Sequence, residues 1–280
     1  MRGYDRGKVA AAAALRCLQA GLLVLIVLAP ARAAPTPDTV QLEELTWTEL
    51  RDAIQTGKTT IILPIGGTEQ NGPYMALGKH NVRVAVLAER IARKLGNALV
   101  APVLAYVPEG GIDPPTAHMR FPGTITIPEQ AFDALLESAA RSFALHGFRD
   151  IVLIGDHGGY QKALVAVATR LNREWAGRPA RAHAITEYYE ASDAGFAELL
   201  RQRGYAQSAI GTHAGLADTS LMLATDPRLV RTDRLATVRV TPGDGISGDP
   251  REASAALGNA GVDQIVARTV AAIQAAVARH

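Results

Sequence analysis

Two kinds of apolar segment alternate along the chain. Thr59-Thr60-Ile61-Ile62-Leu63-Pro64-Ile65 is β-branched and apolar throughout, as a strand covered on both faces is, and Gly66 and Gly67 close it. Val84, Leu87, Ala88, Ile91 and Leu95 then recur at helical spacing, with Gly96 as the C-terminal stop. The alternation repeats: Ala98 to Val103 reads as a strand, and Phe132, Leu135, Leu136, Ala139 and Phe143 mark a helix face. Asp150 to Gly155 is the cleanest buried strand, Leu164, Val167, Leu171 and Trp175 mark the next helix, and Ala182 to Thr186 a further short strand. Trp47 to Thr56 reads as a short opening helix with Thr46 or Thr48 as its cap. Val262, Val266, Thr269, Ile273 and Val277 mark a long terminal helix. This order predicts an α/β fold, a three-layer α/β/α sandwich with a mainly parallel central sheet. No repeat or internal linker interrupts residues 46–280, so a single domain is expected there.

The first residues follow a different pattern. Arg2, Arg6 and Lys8 precede an apolar stretch at 21–29, and Ala31-Arg32-Ala33 is an A-x-A cleavage site. Residues 1–33 therefore read as a secretory signal and residues 34–45 as a solvated tether, which implies export to the periplasm or beyond. The apolar run is shorter than the roughly 20 residues needed to span a bilayer, so no membrane association is expected once the signal is removed. The single cysteine, Cys17, lies inside the signal, which excludes a disulfide framework or a zinc ribbon in the 280-residue chain. The signal carries a net +4 of the chain's +2, leaving the remainder near −2. A mildly acidic surface offers no footprint for nucleic acid.

In open α/β sheets, ligands sit beyond the carboxyl ends of the strands. Three such segments combine glycines with carboxylates or imidazoles: Gly66 to Pro73 leading on to Leu77-Gly78-Lys79-His80-Asn81, Gly155-Asp156-His157-Gly158-Gly159-Tyr160, and Gly211 to Ser220 with His213 and Asp218. Taken singly, Glu69 reads equally as a surface or capping glutamate and Asp218 as a helix cap. None of these three segments contains GxGxxG or GxxxxGK[ST], so they are not phosphate loops of those kinds.

Taken together, Glu69-Gln70-Asn71, Leu77-Gly78-Lys79-His80, Phe121-Pro122-Gly123-Thr124, Gly155-Asp156-His157-Gly158-Gly159-Tyr160, His213-Ala214-Gly215, Asp218-Thr219-Ser220 and Gly248-Asp249-Pro250 come in one register. In that order they resemble the motifs of the creatininase (creatinine amidohydrolase) family over residues from about 60 to 255. The resemblance implies hydrolysis of a C–N bond in a small-molecule amide or cyclic amide by metal-activated water. It also implies a homo-oligomer, hexameric by family habit. In the family, two divalent metals are held by Glu, His, Asp, a second His and a further Glu, with the Asp bridging.

Two departures bear on that centre. Asn71 stands at the first histidine and His80 at the bridging aspartate. A neutral imidazole offers one lone pair to one metal, whereas a carboxylate can bridge two. The expected ligand set is therefore Glu69, His80, His157 and Asp218 around one ion, zinc by preference, with iron or manganese as alternatives. Asp218 reads as a fourth ligand or as a partner orienting an imidazole. His213, on the family's position for that role, is the expected general acid, and His118 a second candidate for contact with substrate. Glu109 and Tyr188 or Tyr189 are candidates for lining the pocket. The rival reading is a binding protein that keeps the fold and has lost the dinuclear site.

Overall fold

The computed structural model describes residues 37–241 and 243–279, so the expected signal at 1–33 and the start of the tether lie outside the described residues. Four strands, β1 (Thr60–Ile65), β2 (Ala98–Val100), β3 (Asp150–Gly155) and β4 (Arg181–Ala184), form a wholly parallel sheet in the order β2-β1-β3-β4. All six β1 side chains are buried, as its unbroken apolar run requires. The two-residue period of a strand then sorts them between layers. Ile61, Leu63 and Ile65 join Leu99, Ile151 and Leu153 on one face, while Ile62 joins Val100, Val152 and Ile154 on the other.

Helices cover both faces. Six carry the layers: α1 (Trp47–Gln55), α2 (Lys79–Leu95), α3 (Glu129–Leu145), α4 (Gln161–Glu174), α5 (Leu216–Thr225) and α6 (Ala255–Val277). Leu50 of α1, Phe132 and Leu136 of α3, and Leu164 and Leu171 of α4 pack on the first face. Leu87 and Ile91 of α2, Leu221 of α5 and Ile265 of α6 pack on the second. The three-layer sandwich expected from the alternating pattern is the observed fold. No helix among the described residues is long and apolar enough to cross a membrane.

The ends of elements follow local chemistry. At α1, Thr46 Oγ1 accepts from the Glu49 N–H and Glu49 Oε2 accepts from the Thr46 N–H, a capping box. β2 stops at Val100 rather than Val103, because Pro102 has no N–H to donate to the ladder. The tether expected over 34–45 is shorter than that: Val40 is buried and its carbonyl accepts from the Val100 N–H at 2.7 Å, so the fold has begun by residue 40.

This topology fixes the position of the site. β1 lies between β2 and β3, so the chain leaves β1 for one neighbour and later returns to the other. The loops after β1 and β3 therefore emerge side by side at a switch point. The long segment after β2 folds over them, pinned where the Ile125 N–H donates to the Thr68 carbonyl and the Glu109 N–H to Thr126 Oγ1, both at 3.0 Å.

Candidate metal centre

Tyr160 ties the two loops together. Its hydroxyl donates to the Ile65 and Gly66 carbonyls, at 2.8 and 2.6 Å, and accepts from the His157 N–H at 3.1 Å. Glu69 and His157 are thereby held against each other, with Glu69 Oε2 3.5 Å from His157 Nε2. Gly67 adopts φ +152°, and a Cβ there would come within 2.6 Å of Glu109 Oε1. Glycine is needed at 67 because the Glu109 carboxyl lies directly against the backbone.

Four side chains converge at this point. Ligand-capable atoms of Glu69, Glu109, His118 and His157 all lie within 4.8 Å of one another. His118 Nε2 is 3.1 Å from Glu69 Oε2, and His157 Nε2 is 3.6 Å from Glu109 Oε2. Yet Glu69 Oε2 and both Glu109 oxygens are buried without a hydrogen-bond partner. Leaving such acceptors unpaired costs about 1–3 kcal/mol each or more, so they call for a cation. Four ligands at about 2.0–2.1 Å around a tetrahedral ion stand about 3.4 Å apart, close to the separations seen here. Two carboxylates and two imidazoles fit one borderline cation such as zinc, iron or manganese better than magnesium, which prefers oxygen alone.

A second cluster lies behind the first. His80 Nε2 is 2.7 Å from Glu69 Oε1 and its Nδ1 is 2.5 Å from Asp156 Oδ1. In this arrangement both ring nitrogens face carboxylate oxygens of the protein. His80, expected as a ligand, is instead a bridge between two carboxylates. Asp218, also expected as a ligand, is taken up by two of the protein's own cations, Lys79 Nζ at 3.0 Å and Arg83 Nη1 at 2.7 Å, and by the Ala214 N–H at 2.9 Å. Arg83 further pairs with Asp156, which also accepts from the Tyr188 hydroxyl at 2.6 Å. Asn71, at the position of the family's first histidine, is buried and donates to the Glu69 and Ala76 carbonyls as a turn residue.

Electrostatics separate the two clusters. Burial alone would raise the pKa of Glu69, Asp156 and Asp218, but the cations beside them outweigh it and hold all three below the ordinary carboxylate range. Those cations are Lys79 and His80 for Glu69, Arg83 and His80 for Asp156, and Lys79 and Arg83 for Asp218. For Glu109 the balance is reversed: burial and then the Glu69 charge outweigh the Lys79 charge and push it up to about 9. Burial, then the charge of His80, pushes His157 down to about 3, while burial and Lys79 push His213 down to about 4. Burial also lowers His118.

His213 and His118 are joined through Gln70. The His213 Nε2–H donates to the Gln70 carbonyl at 2.9 Å, which leaves Nδ1 bare and 3.7 Å from Glu69 Oε1. Gln70 Nε2 reaches His118 Nδ1 at 3.1 Å and donates to the Gly245 carbonyl at 3.0 Å. Both histidines, with Lys79, His157, Tyr189 and Asp193, line a polar cavity of about 280 Å³. A wider hollow of about 580 Å³ shares His118 and His213 and continues past Arg120, Phe121 and Ile246.

Of the residues picked out in the sequence, His80, His118, His157, His213 and Asp218 all line the polar cavity, and Glu69 joins His118 and His157 in the convergent group, whereas His80 and Asp218 are engaged by the protein's own side chains. Glu109 enters the convergent group from the loop after β2, and Asp156, Arg83, Lys79 and Gln70 supply the support. A signal for that support was present: Lys79, His80 and Arg83 crowd three basic side chains into the first turns of α2. Positive charge is unfavourable at a helix N-terminus, so such crowding requires carboxylates from elsewhere.

Known proteins resemble the chain throughout this region. The family model described as "Creatinine amidohydrolase" matches residues 43–273. Creatinine amidohydrolase of Pseudomonas putida is 29% identical over 70% of this chain and 76% of its own length. The mycofactocin precursor peptide peptidase of Mycolicibacterium smegmatis is 30% identical over 65% of this chain, which spans 64% of that protein's length, just under two thirds. A mutant creatininase of "Zn-Zn type" superposes with a TM-score of 0.68 at 27% identity, over 85% of this chain and 98% of its own. With the family model matched over most of its length, the chain belongs to the creatininase family.

Proposed function

We propose that the chain is a metal-dependent amidohydrolase that cleaves a C–N bond of a small polar molecule. One divalent ion would be held by Glu69, Glu109, His118 and His157. The observation that carries this reading is the convergence of those four groups around buried carboxylate oxygens that no protein donor satisfies. A divalent ion bound there supplies Lewis acidity and a water whose pKa falls to about 7.

The chain's own residues then account for substrate placement and proton movement. The mostly polar cavity suits a small molecule bearing several hydrogen-bonding groups. His213 is neutral at pH 7, so its bare Nδ1 takes a proton before it can give one to the leaving nitrogen. Gln70 fixes that order by holding the opposite nitrogen in its protonated form. Lys79, whose ammonium lies between Glu69 and Asp218, keeps the Glu69 carboxylate ionised.

Two substrate classes are compared in one experiment. The zinc-loaded chain is assayed on cyclic amides such as creatinine and on short peptides, with chelated protein as control. The hollow that continues past His118 and His213 favours the peptide class, since it gives room on both sides of those histidines. Turnover of either class, abolished by chelator and restored by zinc or manganese, supports the reading. A chain that binds no metal and hydrolyses neither class would instead be the binding protein with an altered site.

Export and assembly complete the proposal. The N-terminal pattern of basic residues, apolar stretch and A-x-A site supports a periplasmic or secreted protein, so the mature chain should begin at Ala34 in an osmotic-shock fraction. A homo-oligomer, hexameric as the family resemblance implies, should elute well above the mass of one chain; a monomer by light scattering would refute it.

A further inference from the structure

Glu69 presents its two oxygens to different surroundings. Oε2 faces the His118, His157 and Glu109 side, whereas Oε1 faces His80 Nε2 at 2.7 Å, Lys79 Nζ at 3.4 Å and His213 Nδ1 at 3.7 Å. Lys79 is only 1% exposed, and its other partner is Asp218 Oδ2 at 3.0 Å. Carboxylate oxygens that face one point from two elements are donors that a divalent cation could take. Here an ammonium group lies among them.

Charge balance points the same way. In the inner cluster the Glu69, Asp156 and Asp218 carboxylates are already paired with the Lys79 ammonium, the Arg83 guanidinium and the His80 ring. Ionised Glu109 is then the one carboxylate left to offset a metal ion. A second dication a few ångströms away would meet no uncompensated negative charge, and the mutual repulsion of the two would be strong at low local dielectric. Removing Lys79 changes this, because it frees Asp218 Oδ2 and Glu69 Oε1 together.

We propose that the Lys79 ammonium is a built-in second cation, filling from within the chain a position between Glu69 Oε1 and Asp218 Oδ2 that would otherwise be open to a second divalent ion. This rests on the reading that the first ion lies among Glu69, Glu109, His118 and His157. The side chain is anchored at the start of α2, so its charge cannot be dialysed away, and a chain built like this stays mononuclear at any ordinary zinc concentration.

The test is zinc content by elemental analysis after dialysis against buffered zinc, with melting temperature measured in parallel. The unmodified chain and Lys79→Arg are expected to retain about one zinc and Lys79→Met about two. Adding Asp218→Asn to Lys79→Met removes a donor of the new site and should return the content to about one. If Lys79→Met is unfolded in chelator, zinc should restore its melting transition with about two equivalents taken up. Lys79→Met that folds with no more zinc than the unmodified chain, or that stays unfolded in millimolar zinc, overturns the proposal. Absence of zinc from the unmodified chain counts against the metal-centre reading instead, so the two failures are distinguishable.

Discussion

The Glu69 carboxylate, together with burial, keeps the neighbouring Glu109 carboxyl protonated up to about pH 9. Glu109 ordinarily titrates near 4.5, so between those values the folded chain binds a proton that the unfolded chain has lost. Stability from this group is therefore present below about pH 4.5 and lost as pH rises through about 9. In chelator, the melting temperature should fall from pH 6.5 to 9, and Glu109→Gln should flatten that decline. A metal ion needs the carboxylate form, so zinc uptake at pH 7 should release about one proton, measurable by calorimetry in two buffers of different ionisation enthalpy. Identical heats in the two buffers would refute the assignment of Glu109.

His213 titrates in the opposite sense. Its folded pKa of about 4 lies below the ordinary 6.5, so it favours the unfolded state increasingly as pH falls from 6.5 towards 4. The neutral ring is also the form that can take a proton, so kcat/KM should hold through pH 6 and fall only in the more acidic range. His213→Gln should lower kcat by about 10²–10⁴-fold with zinc content unchanged. Loss of zinc from that variant would make His213 a ligand rather than a proton carrier.

Gln70 touches no candidate ligand atom but holds two histidines at once. Its amide oxygen accepts from the Gly72 N–H at 2.9 Å, which fixes the orientation of the carboxamide towards His118. Partners of this kind typically affect metal affinity by about 10–100-fold. Gln70→Ala should weaken zinc binding by that order in a chromophoric-chelator competition. His213 keeps the backbone carbonyl at position 70, so its own pH profile should not move. An unchanged zinc affinity would show that His118 needs no such support.

How far the sequence could be read differed between fold and site for a physical reason. Buried parallel strands betray themselves by continuous β-branched runs, so β1 and β3 and the helices between them were visible directly. Glu69, His157 and His213 were visible because each is a lone functional group among glycines beside a strand or helix end. Glu109 was legible only as a residue lining the pocket, since the path of the segment after β2 is what brings it over Gly67. His80 and Asp218 look like ligands in isolation. What removes them from that role is pairing with Asp156, Lys79 and Arg83 from separate elements, which is a property of the folded chain.

His80 gives the sharpest separation between the reading from sequence and the one from structure. As a metal ligand, its loss would empty or weaken the metal site and leave the apo protein little changed. As the bridge between Glu69 Oε1 and Asp156 Oδ1, its loss leaves two buried carboxylates each short of a partner while the four convergent groups remain. Breaking a buried charge pair by removing one partner costs about 3–5 kcal/mol. His80→Ala should therefore melt at least several degrees lower in chelator while still retaining about one zinc when loaded. The companion variant Arg141→Ala breaks exposed pairs with Glu137 and Glu174 and should leave the melting temperature nearly unchanged, showing how little surface ion pairs contribute in the same chain. A His80→Ala protein that keeps its melting temperature and loses its zinc would return His80 to the ligand set and displace Glu109 from it.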